Sequence, residues 1–276
     1  MCGISGVFNF LGRDINSRKS VEKILDLQNN RGPDNKDIWF SEDKKIYLGH
    51  NRLSIIDLSN HANQPFISKD KDYVITFNGE IYNYKEIRKE LEKKNINFRS
   101  NSDTEVIIES YKQWGAECLN KFRGMFSFAI YDILKKKLLL VRDPFGIKPL
   151  YYSFINGVLY FASSAKSLLS ISSISNNLSN AGLVSFYLWG HIQETHTLYK
   201  NINSLQRGTC LTINNKGDLK EFIYADIKKE LINSETINFK DDKETILYLK
   251  DAVQETTKYH MVSDVPLSFL LSSGID

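Results

Sequence analysis

At 276 residues the chain has room for one large domain or two smaller ones, and 42% apolar with 25% charged residues is an ordinary globular composition. A net charge of +3, carried by scattered basic residues, argues against a nucleic-acid partner. No basic stretch leads into an apolar one as in a secretory signal, and no run reaches the ~18 apolar residues of a membrane span. Three widely separated cysteines, Cys2, Cys118 and Cys210, fit a cytoplasmic protein better than a disulfide scaffold. His191 and His196 have no further ligands nearby, so no metal site is expected.

Residues 1–10 read as a strand, with Ile4, Val7 and Phe8 apolar, and residues 20–28 as a helix that stops at Arg31-Gly32-Pro33-Asp34. Strands are predicted at 37–40 and 46–50, then a short apolar run at 52–57 and a loop at 61–65. Residues 73–77 alternate as a strand that ends in Asn78-Gly79-Glu80, a turn signal. Asn83 is placed to cap a helix reaching about residue 94, and Ser102-Asp103-Thr104-Glu105 to cap another over 106–114. A hairpin over 126–132 and 137–142 turns at Lys135-Lys136-Lys137. A second, over 150–153 and 158–162, turns at Asn156-Gly157. A helix over 178–189 and a last strand over 209–213 complete a domain at 1–213. Residues 214–243 are charged and poorly periodic, which predicts a linker or variable segment. A helix at 244–261 and a continuously apolar run at 265–271, patterned as a buried parallel strand, open a further unit over 244–276.

The chemistry starts at Cys2. With Met1 removed, Cys2 carries a thiol and an α-amine on one residue. An amine titrating near ~7.7–8.0 can take the proton of a thiol titrating near ~8.5. Asn78 and Gly79 can together supply two donors to an oxyanion. Arg52 suits a carboxylate, Asp103 an ammonium, and the loop at Ser272-Ser273-Gly274 a phosphate. Singly, each has an ordinary structural reading: a frayed terminus, a turn, a surface arginine, a helix cap, a Ser/Gly loop. Together, a self-basic thiol, two oxyanion donors, a carboxylate binder and an ammonium binder form the set needed to hydrolyse the side-chain amide of a free amino acid.

Ordered blocks carry a resemblance. They include Cys2-Gly3-Ile4, Arg31-Gly32-Pro33-Asp34, Arg52-Leu53-Ser54-Ile55-Ile56-Asp57, Asn78-Gly79-Glu80-Ile81-Tyr82-Asn83, Ser102-Asp103-Thr104-Glu105 and Arg142-Asp143-Pro144-Phe145-Gly146. The chain resembles the class II glutamine amidotransferases, nearest their glutamine-hydrolysing asparagine synthetases. That resemblance implies an α+β N-terminal-nucleophile hydrolase fold, a four-layer α/β/β/α sandwich, followed by the start of an ATP-pyrophosphatase domain. It implies Cys2 as nucleophile and Asn78 and Gly79 as oxyanion donors. Glutamine would be bound by Arg52, Leu53, Ser54, Ile55, Ile56, Asn78, Gly79, Glu80 and Asp103. ATP would be bound by Leu271, Ser272, Ser273, Gly274 and Asp276, with Mg²⁺, to amidate aspartate.

The chain departs from the family pattern at Asn30, Ser164, Arg207 and Ser273. The departures leave room for another acceptor, such as a sugar acid, or for a non-catalytic truncated paralogue. A homodimer is a further expectation, and no nucleic-acid or membrane partner is expected.

Overall fold

The computed structural model describes residues 1–234, 239–270 and 272–274. Alternation along β1 (Gly3–Phe8) decides how the layers stack. Ile4 and Phe8 point into one core, while Val7 points the other way, toward Val21, Ile24 and Leu25 of α1 (Ser17–Leu27). Asn16 caps that helix, accepting from Lys19 N at 2.9 Å.

The chain continues through β2 (Asn35–Phe40), β3 (Ile46–Arg52), β4 (Phe66–Ile67) and β5 (Tyr73–Ile81), then α2 (Tyr84–Glu92) and α3 (Asp103–Trp114). Next come β6 (Gly124–Asp132), β7 (Lys137–Arg142), β8 (Tyr151–Ile155) and β9 (Val158–Ala162), then α4 (Ala165–Leu168) and α5 (Asn180–Trp189). The last elements are β10 (Asn203–Ser204), β11 (Thr209–Asn214), β12 (Leu219–Ile223), α6 (Ile227–Asn233) and α7 (Asp242–His260).

Among the described residues the strands form two six-stranded sheets, ordered β10-β8-β9-β1-β3-β2 and β12-β11-β7-β6-β5-β4. Their facing sides share a core of Ile4, Phe8, Leu48, Val74, Tyr131, Leu140, Phe161 and Leu211. α1 and α4 cover the outer side of the first sheet. α2 and α3 cover the second, through Ile87, Leu91, Val106 and Ile107 against Ile75, Phe77, Phe126 and Phe128. This is the four-layer α/β/β/α sandwich expected of the fold.

Several expectations are corrected. Asn78-Gly79 is not a turn: β5 runs through it, with Asn78 opposite Ser127 and Gly79 opposite Phe126. A Cβ at Gly79 would lie 2.2 Å from Met125 O, so this glycine answers a close backbone approach instead of a reversal. Asn83 stands at the start of α2 without capping it, because its side chain bonds Lys121 O and Arg123 N. The strand over 209–213 is not the last. Within the expected linker, β12 pairs with β11 and α6 follows, both exposed and so lacking an apolar signature.

In its described part, residues 265–270, the apolar run expected at 265–271 is no buried strand. Residues 265–270 carry no strand, and Leu267, Phe269 and Leu270 are exposed. Leu271 and Asp276 lie outside the described residues. Ser272, Ser273 and Gly274 are exposed, and no ATP-pyrophosphatase domain is present among the described residues.

β1 lies between β3 and β9, and it fits there because Gly6 leaves room for the Phe161 ring. A Cβ at Gly6 would meet that ring at 2.3 Å and Tyr47 O at 2.9 Å. Gly6→Ala should therefore destabilise the fold by about 1–3 kcal/mol, as overpacking does. Denaturant midpoints of variant and wild type check this, and an unchanged midpoint would contradict the packing.

Candidate functional site

Three strands deliver side chains to one cleft because they share a parity. Cys2 follows the alternation of Ile4 and Phe8, Arg52 that of Ile46 and Leu48, and Asn78 that of Val74 and Thr76. All three sets face the space between the sheets. Two cross-sheet bonds hold the strands in place there: Thr76 Oγ1 donates to Gly49 O at 3.1 Å, and His50 Nε2 bonds Phe77 O at 3.0 Å. Burial pushes the His50 pKa down to about 3, so the imidazole is neutral and Nε2 is the protonated nitrogen that donates.

Where the sheets part, a cavity of about 210 Å³ opens, lined by Cys2, Arg52, Leu53, Ile55, Ile56, Asn78, Gly79, Glu80 and Asp103 among others. Nine of the residues expected at the site are thus brought together. Ser54 is not among the lining residues, and its N–H donates to Asp34 Oδ2 at 2.7 Å.

Cys2 is held in place by main-chain contacts. Leu53 N donates to its Sγ at 3.4 Å, its thiol reaches Leu53 O at 3.5 Å, and Arg31 Nε donates to Cys2 O at 3.0 Å. Burial raises the thiol pKa, while the Leu53 N–H and the nearby amino terminus oppose that shift. Cys118 and Cys210 are fully enclosed, which leaves Cys2 as the accessible thiol.

The two candidate oxyanion donors follow from strand edges. β4 pairs only with Ile75 and Val74, so beyond Ile75 that edge of β5 is open. Amides on one edge alternate. Phe77 N donates to Gln64 Oε1 at 2.7 Å and Ile81 N to Asp103 Oδ2 at 3.0 Å. Gly79 N–H lies between them on the same edge, away from β6. Its opposite number Phe126 directs both main-chain groups to Asp143 instead. Beside it, Asn78 is 1% exposed and its Nδ2 has no partner among the described residues. A buried amide left unpaired in a cavity wall is a donor held ready for a ligand.

Arg52 NH1 donates to Ser59 O at 2.9 Å and Asn63 Oδ1 at 2.6 Å, and its NH2 donates to Asp57 O. These bonds use three of the five guanidinium donors and leave two for a ligand. Asp103, the first residue of α3 behind the Ser102 cap, is pushed up to about 7 by burial, with the charge of Glu80 adding to the shift. Burial raises Glu80 too, opposed by Lys148, whose own pKa burial lowers.

Gln64 and Lys148 also line the cavity; Lys148 belongs to the motif block that begins at Arg142, but the sequence assigned neither residue a role at the site. Gln64 joins β5 to α3, since its Nε2 also donates to Thr104 Oγ1 at 3.1 Å. Lys148 ends a loop wound about the Asp143 carboxylate, which accepts from Phe126, Phe145, Ile147 and Lys148 amides at 2.9–3.2 Å. The block Arg142 to Gly146 was legible as a motif, but the function of its aspartate as a loop anchor was not. No group of three or more His, Cys, Asp or Glu suited to a metal occurs among the described residues. Nor is any described helix long and apolar enough to cross a membrane.

Residues 1–224 match the family described as glutamine amidotransferase domain. Glutamine-hydrolyzing asparagine synthetase 1 of Bacillus subtilis is 38% identical over 280 residues, covering 100% of this chain and 42% of that protein. Asparagine synthetase B of Escherichia coli, also glutamine-hydrolyzing, is 33% identical over 277 residues, covering 100% of this chain and 43% of its own length. The chain therefore spans less than half the length of these relatives. Among solved structures, the glutamine phosphoribosylpyrophosphate amidotransferase of B. subtilis superposes with a TM-score of 0.60 at 18% identity, covering 81% of this chain and 49% of that one. At that identity the likeness bears on the fold alone.

The raised Asp103 carboxyl has a consequence for the ligand-free chain. Its folded pKa, about 7, exceeds the ordinary carboxyl value of 3.8, so between those pH values the folded state holds a proton that the unfolded state has lost. Its contribution to stability is full below about 4 and falls as pH rises through 7, by at most about 1.4 kcal/mol per pH unit. Asp103→Asn should remove that slope, so its stability relative to wild type should improve from pH 5 to pH 7.5. Denaturant melts at both values test this, and parallel pH dependences would refute it.

Proposed function

This chain belongs to the glutamine amidotransferase domain family, and from that premise we propose that it hydrolyses the side-chain amide of glutamine at Cys2, giving glutamate and ammonia. The observation that carries the reading is the convergence on one cavity of the Cys2 thiol, the Asn78 amide unpaired among the described residues with the Gly79 N–H, the Arg52 guanidinium and the Asp103 carboxyl.

In the chain as it begins at Met1, the α-amine belongs to that residue, and burial lowers its pKa. Removal of Met1 transfers the amine to Cys2, where it serves as the base. The Cys2 thiol gives its proton to this amine, and the thiolate attacks the carboxamide carbon. The oxygen takes the negative charge between Asn78 Nδ2 and Gly79 N–H. The amine returns the proton to nitrogen as the C–N bond breaks, so ammonia leaves and a thioester remains. Water then attacks the thioester, with the same amine as base, and glutamate departs. The two free donors of Arg52 take the α-carboxylate and Asp103 the α-ammonium. An ammonium beside Asp103 favours its ionised form, so the cost of burying each charge is offset by the other.

The names of the relatives, glutamine-hydrolyzing asparagine synthetases, suggest where the ammonia goes: into asparagine, by amidation of aspartate. ATP with Mg²⁺ as the driving partner is what the family resemblance implies. Of the residues expected at the nucleotide, Ser272, Ser273 and Gly274 are described and exposed, and no step through ATP is derived from them.

With Met1 removed and its absence verified by mass spectrometry, the chain should release ammonia from glutamine, Cys2→Ala should release none, and Asn78→Ala should lose roughly 10²–10³ in kcat. An ammonia assay decides. Silence from the processed wild-type chain would defeat the reading.

A further inference from the structure

The chain segment that follows α7 touches the glutamine-pocket loop from outside. Ile55 O accepts from Asp264 N at 2.9 Å, and Asp264 Oδ2 accepts from Asp57 N at 2.7 Å. This two-point contact joins residues 207 apart in sequence. Its position is set by the end of α7. Tyr259 donates to Glu86 Oε1 at 3.1 Å, the His260 ring lies 4.6 Å from that of Tyr82, and Val262 packs against the core under α2 and α3.

Asp57 is the junction of the pocket loop. Its carbonyl accepts from the Arg52 guanidinium, and its carboxylate accepts from Ser59 N and Oγ and from Asn101 N at 2.6–3.0 Å. It takes φ +52°, a left-handed conformation that aspartate tolerates but does not prefer. With the backbone turned this way, Asp264 is the one acceptor for Asp57 N–H among the described residues. A charged acceptor on an amide makes a stronger bond than a neutral one, even with one side open to water.

We propose that Asp264 is a positioning residue for glutamine: by holding Asp57 N–H it fixes the carbonyl on which Arg52 rests, and so links the segment after α7 to the carboxylate-binding end of the pocket. The inference rests on the glutaminase reading for the identity of the ligand. Asp264 touches neither the ligand nor the thiol. Losing it loosens the loop and weakens glutamine binding while the reacting groups stay in place. The link is reciprocal: glutamine that orders the loop also holds the segment after α7. Whatever displaces residues 261–265 thereby lowers the affinity for glutamine.

The test uses the full chain with Met1 removed. It compares wild type with Asp264→Ala, which removes the acceptor, and Asp264→Asn, which keeps a neutral one. Glu255→Gln serves as control, cutting only the exposed Arg123–Glu255 pair at the other end of the contact. Asp264→Ala should raise KM for glutamine roughly three- to tenfold with kcat within a factor of two, the scale of one lost hydrogen bond. It should also speed amide exchange across residues 53–58 by a similar factor. Asp264→Asn should restore most of both, and Glu255→Gln should change neither.

Unchanged exchange in Asp264→Ala overturns the proposal. So does an unchanged KM, or a loss confined to kcat. If the wild-type chain hydrolyses no glutamine, the glutaminase reading fails on that result, while the exchange comparison still decides the Asp264 contact.

Discussion

The constraint on which the site depends is the fixing of the amino terminus as an interior strand. β1 is bonded along both edges, to β3 and β9, and every one of its residues from Gly3 to Phe8 is buried. A terminus usually frays. Here fraying would require breaking two ladders and exposing Ile4, Val7 and Phe8, so the residue just before the strand inherits the strand's precision. Arg31 and Leu53 then fix the carbonyl and sulfur of Cys2. A nucleophile and its base on one residue need no second catalytic side chain, only this degree of immobility.

The same economy produces the candidate oxyanion donors. β4 is two residues long, and where it stops β5 offers a row of alternate amides to the cavity. Gln64 and Asp103 take the amides on either side of Gly79, leaving the middle one free, and Asp143 draws Phe126 away from it. An unfilled strand edge would ordinarily be a liability. Enclosed at the end of a sandwich, it becomes a line of aimed donors.

The elements with strong periodicity were legible, and they are the ones whose burial is one-sided: α1, α2 and α3, and the hairpins around Lys136 and Asn156-Gly157. The layer order came from the family resemblance, since alternation identifies strands without saying which will pair. Asn78-Gly79 misled because its local turn preference lost to pairing with Ser127 and Phe126. The glycine there serves the approach of Met125 O, a contact invisible in sequence. β12 was missed because an exposed edge strand has no apolar face to announce it. Residues 265–270 misled in the opposite sense, since their apolar pattern has no layer to enter among the described residues. At the site, Cys2, Arg52, Asn78 and Asp103 could be named from chemistry alone. Gln64, Lys148 and Asp264 could not, since their contribution lies wholly in what they touch across the fold.

The charges around the cavity also account for the kind of ligand proposed. Burial raises the carboxyls of Asp103 and Glu80 and lowers the ammonium of Lys148, so each is penalised for standing ionised there. Arg52 cannot escape its charge and is satisfied by three main-chain and amide oxygens, with two donors left over. A ligand with one charge would relieve one of these groups and leave the others as they were. A zwitterion presents an ammonium to Asp103 and a carboxylate to Arg52 at once, relieving both ends of the pocket while its side chain lies toward Cys2. In the proposed reading, selectivity for an α-amino acid arises from relieving these burial costs as much as from the contacts made, and the loop from Leu53 to Asp57 must be held still for the two ends to stay the right distance apart.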